Sequence, residues 1–410
     1  MPEITPIEQA YIQAHLHVDP YTLLFRPEPE QIRLKLVVAQ LVARQKARTK
    51  LPHWYARPDL VFPPALSVEQ ASSERTAAYK ASLLVQSGKK PGLVVDLTGG
   101  MGVDTLAFSQ QADRVIYLER QPHLAELAAF NLPRLGGTTI EFPAPPVDAV
   151  QFLTHFQETA DWIYLDPARR DQQGGKVVRL EDCEPNVLDW YRGQPQAGLR
   201  SKARAVLLKT SPLIDIDSVV RQLPDVTAVH VVSVENECKE VLFVLTEMER
   251  PEVEVTAVNL RTAAPDERFI FHRNDEKTAH VQFSAPLRYL YEPNASILKA
   301  GAFRAVAEHQ HVFKLAPNSH LYTSEQLQAG FPGRTFEIVG ICKPDRKEVQ
   351  IFLPEKKANL SVRNFPEATE TLRKKLGIAP GGDLYLFATT LFDNKKRILI
   401  TRKIFYPSLH

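Results

Sequence analysis

The residues best suited to chemistry stand in two short stretches. The first, LVVDLTGGMGVDTLAF at Leu93 to Phe108, puts Asp96 at the end of an apolar run and follows it with Thr98, Gly99, Gly100, Met101 and Gly102. Glycines there let the main chain turn sharply and approach a ligand with no Cβ in the way, and the helix predicted from Val103 to Gln110 aims its N–H groups at the same place. A glycine turn alone requires only tight packing. Glu119 adds a second signal, because it closes the next apolar run, RVIYLE, 23 residues after Asp96, where an acid accepts hydrogen bonds from both hydroxyls of a ribose. The second stretch, ADWIYLDPARRD, sets Asp166 and Pro167 at the end of another apolar run, with Arg169 and Arg170 just beyond. Asp166 there either takes a proton from an acceptor or orients it. The two guanidiniums suit bidentate capture of phosphate or carboxylate, or else surface pairing with Asp171, Glu181 or Asp182. Lys209, ending RAVLLK, offers a further polar group to the cleft or simply solvates a strand end.

Strands must carry these residues. GLVVDL, DRVIYLE, TTIEF, DWIYLD, RAVLLK, AVHVVSV and EVLFVLT alternate with helix-length stretches, which predicts a mainly parallel sheet covered on both faces. In such a sheet ligands sit at the carboxyl ends of the strands, where Asp96, Glu119 and Asp166 fall. The last two strands, separated by ENECKE, are placed to form a closing antiparallel hairpin. Residues 1–88 read as helical, with Ile32, Leu36, Val37 and Leu41 at helical spacing and Arg44, Lys46 and Arg48 crowding a helix end that favours cations. A third helical run opens with Ser67 three residues before Gln70, a capping-box spacing, and closes at Gly88. The C-terminal part alternates strands and a helix and ends in a hairpin about Asp393 and Asn394, as expected of a small α+β unit.

Composition narrows the classes further. At 410 residues the chain is long enough for two to four domains, and 44% hydrophobic residues suit packed globular units. No stretch reaches the roughly 18 apolar residues of a membrane span, and MPEITPIEQA lacks the pattern of a signal peptide, so cytoplasm is the expectation. Cys183, Cys238 and Cys342 stand far apart with no CxxC spacing, which argues against a zinc or iron–sulfur site. From Arg334 onward there are 15 Lys and Arg against 8 Asp and Glu, a segregation that suits a polyanion or a solvated surface.

The glycine turn admits two ligands, a dinucleotide or S-adenosylmethionine (SAM). Set on GxGxxG, Gly100 and Gly102 leave Thr105 where the third glycine belongs, and Asp96 suits a cationic ligand without phosphate, so SAM fits better. DLTGGMGVDTLAF with Glu119 resembles the motif of class I SAM-dependent methyltransferases. The resemblance implies that Asp96, Thr98, Gly99, Gly100 and Gly102 surround the methionine moiety, that Glu119 holds the ribose, and that Asp148 receives the adenine amino group, unless it only caps AVQFLTHF. It also implies that Asp166, Pro167 and Arg169 face the methyl group and acceptor, with Arg170 and Lys209 beside the acceptor. LDPARRD departs from the (Asp/Asn)-Pro-Pro-aromatic pattern of exocyclic amine methylation. Ser211 and Pro212 stand where pyrimidine C5 enzymes of similar layout keep a cysteine, so transfer to N or O without a thiolate is expected.

Together with VRNFPEATETLRKKLGI and GGDLYLFATT, these motifs resemble the bacterial THUMP-like class I methyltransferase family. That family implies an α/β, Rossmann-like methyltransferase sheet at 89–250 after an N-terminal helical region at 1–88. A small ferredoxin-like domain at 251–325 and a THUMP-like domain at 326–410 would follow. It also implies a structured RNA acceptor, tRNA or rRNA, contacted by Arg363, Asn364 and Phe365, the arginine at phosphate and the aromatic by stacking, unless Phe365 belongs to the core. A small-molecule or protein methyltransferase, or an RNA-binding protein that has lost catalysis, are the alternatives.

Overall fold

The computed structural model describes residues 4–27, 29–144, 148–169, 179–184, 186–192, 198–247 and 252–405, with Arg169, Arg192 and Arg200 described in main chain only. Two compact units emerge, Met1–Thr227 with Leu242–Glu249, and Ala228–Val241 with Arg250–His410. Among the described residues no helix is long and apolar enough to cross a membrane.

The first unit begins with α1 (Pro6–Ala14), α2 (Leu34–Lys50), α3 (Pro52–Tyr55), α4 (Ala65–Gln70) and α5 (Glu74–Leu84). Val37 and Leu41 of α2 are fully buried against Ile12 and Leu23. Arg44, grouped by sequence with the cations of a helix end, is buried. Its guanidinium donates to the carbonyls of Arg57, Pro58 and Leu60 at 3.0, 2.9 and 2.7 Å and so shapes the chain leaving the helices. The run predicted to start a helix at Ser67 breaks at Ala71, because Ser73 and Thr76 form the working capping box of α5; that helix ends at Leu84, ahead of Gly88. Two serines competed for one cap, and the later one also frees Ser72 to face the interior.

Strands β1 (Leu93–Asp96), β2 (Arg114–Tyr117), β3 (Ile140–Glu141), β4 (Ala160–Leu165) and β7 (Ala203–Thr210) follow the expected runs, with β5 (Ala168–Arg169) and β6 (Cys183–Glu184) as a separate antiparallel pair. In the first unit the order is β7-β4-β1-β2-β3, with all four pairings parallel. Helices α6 (Val103–Ser109), α7 (Pro122–Arg134) and α8 (Ala149–His155) connect them. From β1 the chain first builds outward through β2 to β3 and then returns to β4 on the other side, so β1 and β4 flank the crevice that such a reversal opens. The N-terminal helices are fastened to this sheet. Asn131 of α7 exchanges two buried hydrogen bonds with the main chain of Val61, at 3.1 and 2.7 Å, and the Trp162 indole donates to the Leu84 carbonyl at 3.1 Å.

Strand β8 (Val226–Val234) turns into β9 (Glu237–Thr246) through Glu235 and Asn236 of the second unit, both at positive φ, a two-residue turn where the closing hairpin is expected. Strand β10 (Glu254–Leu260) runs parallel to β8, and β11 (Glu267–His272) returns antiparallel to β10. The stretch grouped by sequence with the ferredoxin-like unit from 251 therefore begins beside β8. Six of the seven β10 residues, Val255 to Leu260, are buried in succession, so this strand is covered on both faces. A second sheet has the order β13-β14-β12-β15-β18-β17-β16, built from β12 (Tyr289–Pro293), β13 (Phe313–Lys314), β14 (Tyr322–Ser324), β15 (Gly333–Cys342), β16 (Asn359–Arg363), β17 (Leu384–Thr390) and β18 (Lys396–Lys403). The β17–β18 hairpin turns where expected, with Asn394 at φ 63. Glu292 of β12, only 3% exposed, is paired with both Arg334 of the adjacent β15 and Arg363 of the edge strand β16.

The Asn131 clamp makes a prediction about stability. Asn131→Ala leaves two buried main-chain groups of Val61 unpaired, so it should lower the unfolding free energy of the first unit by about 2–4 kcal/mol. Urea unfolding followed by tryptophan fluorescence measures this, and Asn131→Asp should not restore the loss because it cannot donate to the Val61 carbonyl.

Candidate active site

Asp96 ends β1 with no exposure to solvent. Its Oδ1 accepts the Thr98 N–H at 3.0 Å and its Oδ2 accepts the Thr105 hydroxyl at 2.6 Å. Burial pushes its carboxyl up to about 7; the two hydrogen bonds oppose that rise, and the charges of Asp104 and Asp166 add to it. Thr105 thus replaces a third glycine with a hydroxyl that anchors the acid.

Between these anchors the chain turns through Gly99 to Gly102. A Cβ on Gly99 would lie 2.1 Å from the Tyr117 ring, whose hydroxyl donates to the Gly100 carbonyl at 2.6 Å. Gly102, at φ +87, would press a Cβ to 2.6 Å from Leu132. Glu119, just past β2, accepts the N–H of Gly100 at 2.9 Å and of Gln121 at 2.8 Å. One lone pair on each carboxylate oxygen then remains for hydroxyl donors. The N–H groups of Thr98, Gly99, Gly100 and Gly102 are all engaged within the protein, by Asp96, Leu118, Glu119 and Gly99 respectively. A pyrophosphate needs such donors to itself, so this turn is a poor phosphate cradle.

Asp166, at the end of β4, is held at both ends. Its N–H donates to the Thr98 hydroxyl at 2.7 Å, and its carboxylate is ion-paired with Lys209 of the adjacent strand β7. Thr98 therefore joins the turn after β1 to the end of β4, and Lys209 is part of the site by its grip on Asp166. Beside them Asp104, in the first turn of α6, accepts the hydroxyls of Ser72 and Tyr164, each at 2.8 Å, and meets the ammonium of Lys80 at 3.1 Å. The sequence marks Thr105 only as the residue in place of a third glycine, and it does not mark Tyr117, Lys80, Asp104 or Tyr164 as part of the site. The available signal was a run of polar residues, Asp104 and Thr105, on the inner side of an otherwise apolar helix.

Other predicted residues sit as follows. Asp148 is the N-cap of α8, its Oδ1 accepting the Val150 N–H at 2.8 Å, and its charge also acts on Arg120, which is paired with Glu184 at 2.6 Å. Pro167 continues from Asp166 into β5, where the main chain of Arg169 pairs with Cys183; the Arg169 side chain and Arg170 lie outside the described residues. Ser211 follows β7, and Cys183, Cys238 and Cys342 form no disulfide. In the second unit Arg363 pairs with Glu292 at 2.7 Å, Asn364 adopts φ 52 and donates to the Thr390 carbonyl at 3.1 Å, and Phe365 packs on the core between β16, β17 and the helix Thr369–Leu376. All three have intramolecular work.

Comparison with known proteins agrees with this architecture. Residues 289–332 match the model of a ferredoxin-like domain, and residues 333–403 match that of a THUMP domain-like unit. A solved structure from Porphyromonas gingivalis W83, assigned as a methyltransferase, is similar over 97% of this chain and 98% of that one, with a TM-score of 0.85 and 32% identity. An uncharacterised protein of Methanothermobacter thermautotrophicus is 32% identical over 106 residues, which is 26% of this chain and 40% of that relative; the match thus spans less than half of its length. With a methyltransferase-type sheet followed by ferredoxin-like and THUMP-like segments, and a full-length likeness at this identity, the chain belongs to the THUMP-like domain-containing methyltransferase family.

Proposed function

We propose that the protein is a SAM-dependent methyltransferase that methylates an N or O atom of a structured RNA. The observation that carries the cofactor half is the ring of carboxylates, Asp96, Glu119 and Asp166, about a glycine turn whose N–H groups are already engaged. That donor set suits a cation bearing vicinal hydroxyls and no phosphate. When bound, SAM supplies a methyl group activated by its sulfonium. The chain's part is then to bind and orient: Asp96 and the turn from Thr98 to Gly102 take the methionine end, Glu119 the ribose, and Asp148 the adenine.

Asp166, fixed by Thr98 and Lys209, accepts a hydrogen bond from the acceptor and aims its lone pair, with Pro167 and Arg169 completing the wall. Alignment of this kind supplies most of the acceleration in a direct displacement, so no thiolate is required. The RNA half rests on the THUMP domain-like match at 333–403 and on the excess of Lys and Arg beyond Arg334. In this reading Arg170 serves the acceptor's phosphates near the site, while Arg363 and Asn364, with Phe365 behind them, belong to the C-terminal contact. The same reading keeps the division into 1–88, 89–250, 251–325 and 326–410, and a cytoplasmic location.

Calorimetry tests the cofactor half: S-adenosylhomocysteine should bind wild type with micromolar affinity or better and lose measurable affinity in Asp96→Ala/Glu119→Ala, and equal binding by the two proteins would refute the assignment. The pH dependence follows from Asp96. Its raised carboxyl is protonated below about 7, and the stability contributed by that protonated form is lost as pH rises through 7. SAM, a cation, selects the ionised form, so its affinity should strengthen as pH rises and be about tenfold weaker one unit below the midpoint than above it. Thr105→Val, which removes a hydrogen bond to the ionised form, should move that midpoint upward.

A further inference from the structure

Tyr164 of β4 and Asp166, the residue just past its end, stand two positions apart and so share one face of the sheet. On the neighbouring strand Leu207 pairs with Tyr164 and Leu208 with Leu165, which brings Lys209 beside Asp166 on that same face. Asp104 of α6 lies over this face, accepting the Tyr164 hydroxyl at 2.8 Å, and Lys80 of α5 closes the group from the other side with its ammonium 3.1 Å from Asp104 and 2.8 Å from the Ser72 hydroxyl. Lys80 has no solvent exposure and Asp104 is 8% exposed, so the two charges meet largely out of solvent. Burial pushes the Asp104 carboxyl up, but the ammonium groups of Lys80 and Lys209 together pull it below its ordinary value. The four groups thus alternate in sign: Lys80, Asp104, Lys209, Asp166.

Lys209 acts on Asp104 through its charge and is ion-paired by direct contact with Asp166. What leaves it there is that Asp104 is already neutralised by Lys80. We infer that Lys80, from the N-terminal helical region, is a positioning residue of the methyl-transfer site, which keeps Lys209 on Asp166 by occupying Asp104. The helical region is then a part of the active centre and not only a support beneath it. This inference rests on Asp166 facing the acceptor, as proposed above.

Charge balance provides the test. In Lys80→Met the buried Asp104 lacks its counter-ion and Lys209 is the nearest replacement, so Lys209 should leave Asp166 for Asp104. In Lys80→Met/Asp104→Asn that demand is gone and Lys209 should return. Crystal structures of the two variants with S-adenosylhomocysteine read this directly, and Lys209 still on Asp166 in the single variant would overturn the inference. Transfer of labelled methyl from SAM to total RNA of a strain lacking the gene gives the functional arm. The single variant should lose roughly 10- to 100-fold in turnover, as misplacement of an orienting group does, with S-adenosylhomocysteine affinity nearly unchanged. The double variant should recover most of that loss.

Lys80→Gln, which keeps a donor for Ser72 without the charge, replaces the methionine variant if that one does not fold. If neither single variant folds while the double variant does, Lys80 serves stability alone and the inference fails. If wild type labels no RNA, the RNA reading falls, and the position of Lys209 in the crystals still decides the matter.

Discussion

The buried carboxylate of Asp96 is the constraint on which the rest of the site depends. A carboxylate with no exposure to solvent must be answered by donors, and the chain supplies two that are local, the Thr98 N–H and the Thr105 hydroxyl. Meeting both bends the main chain through Gly99 to Gly102 within nine residues and sets the start of α6. Tyr117 and Leu132 then occupy the space that any Cβ on Gly99 or Gly102 would need. Thr98, fixed in this way, presents its hydroxyl to the N–H of Asp166, so the geometry at β4 is inherited from the geometry at β1.

Charge is balanced across the carboxyl ends of the strands with little to spare. Asp96, Asp104, Asp166 and Glu119 lie near one another, and Lys80 and Lys209 answer two of them by ion pairs. Glu119 is answered by main-chain N–H groups and Asp96 by hydrogen bonds at the cost of a raised carboxyl. The residual negative character favours a cationic ligand, which is the physical basis for proposing SAM at this turn.

Much of this was legible in the sequence because it is local. Short, nearly continuous apolar runs marked the central strands, and Asp96, Glu119 and Asp166 were singled out because each ends such a run, where parallel sheets bind ligands. The network beneath them was hidden because Lys80, Asp104 and Tyr164 come from three elements, and nothing in an amphipathic helix distinguishes a buried lysine from a solvated one. Competing local signals also misled: Ser67 and Ser73 both carry capping patterns, and only the interior role of Ser72 selects the second. Arg44 looked like a cation for a helix end, yet three carbonyls of a returning segment claim it. Arg363 pairs with Glu292, 71 positions earlier, across a strand order that the sequence does not announce.

The central claim is that the carboxylate ring serves methyl transfer to RNA. Mass spectrometry of nucleosides from cells with and without this gene tests it most directly. The account predicts that one methylated nucleoside disappears with the gene, returns with the wild-type copy and does not return with Asp166→Ala. Identical nucleoside profiles with and without the gene would contradict it.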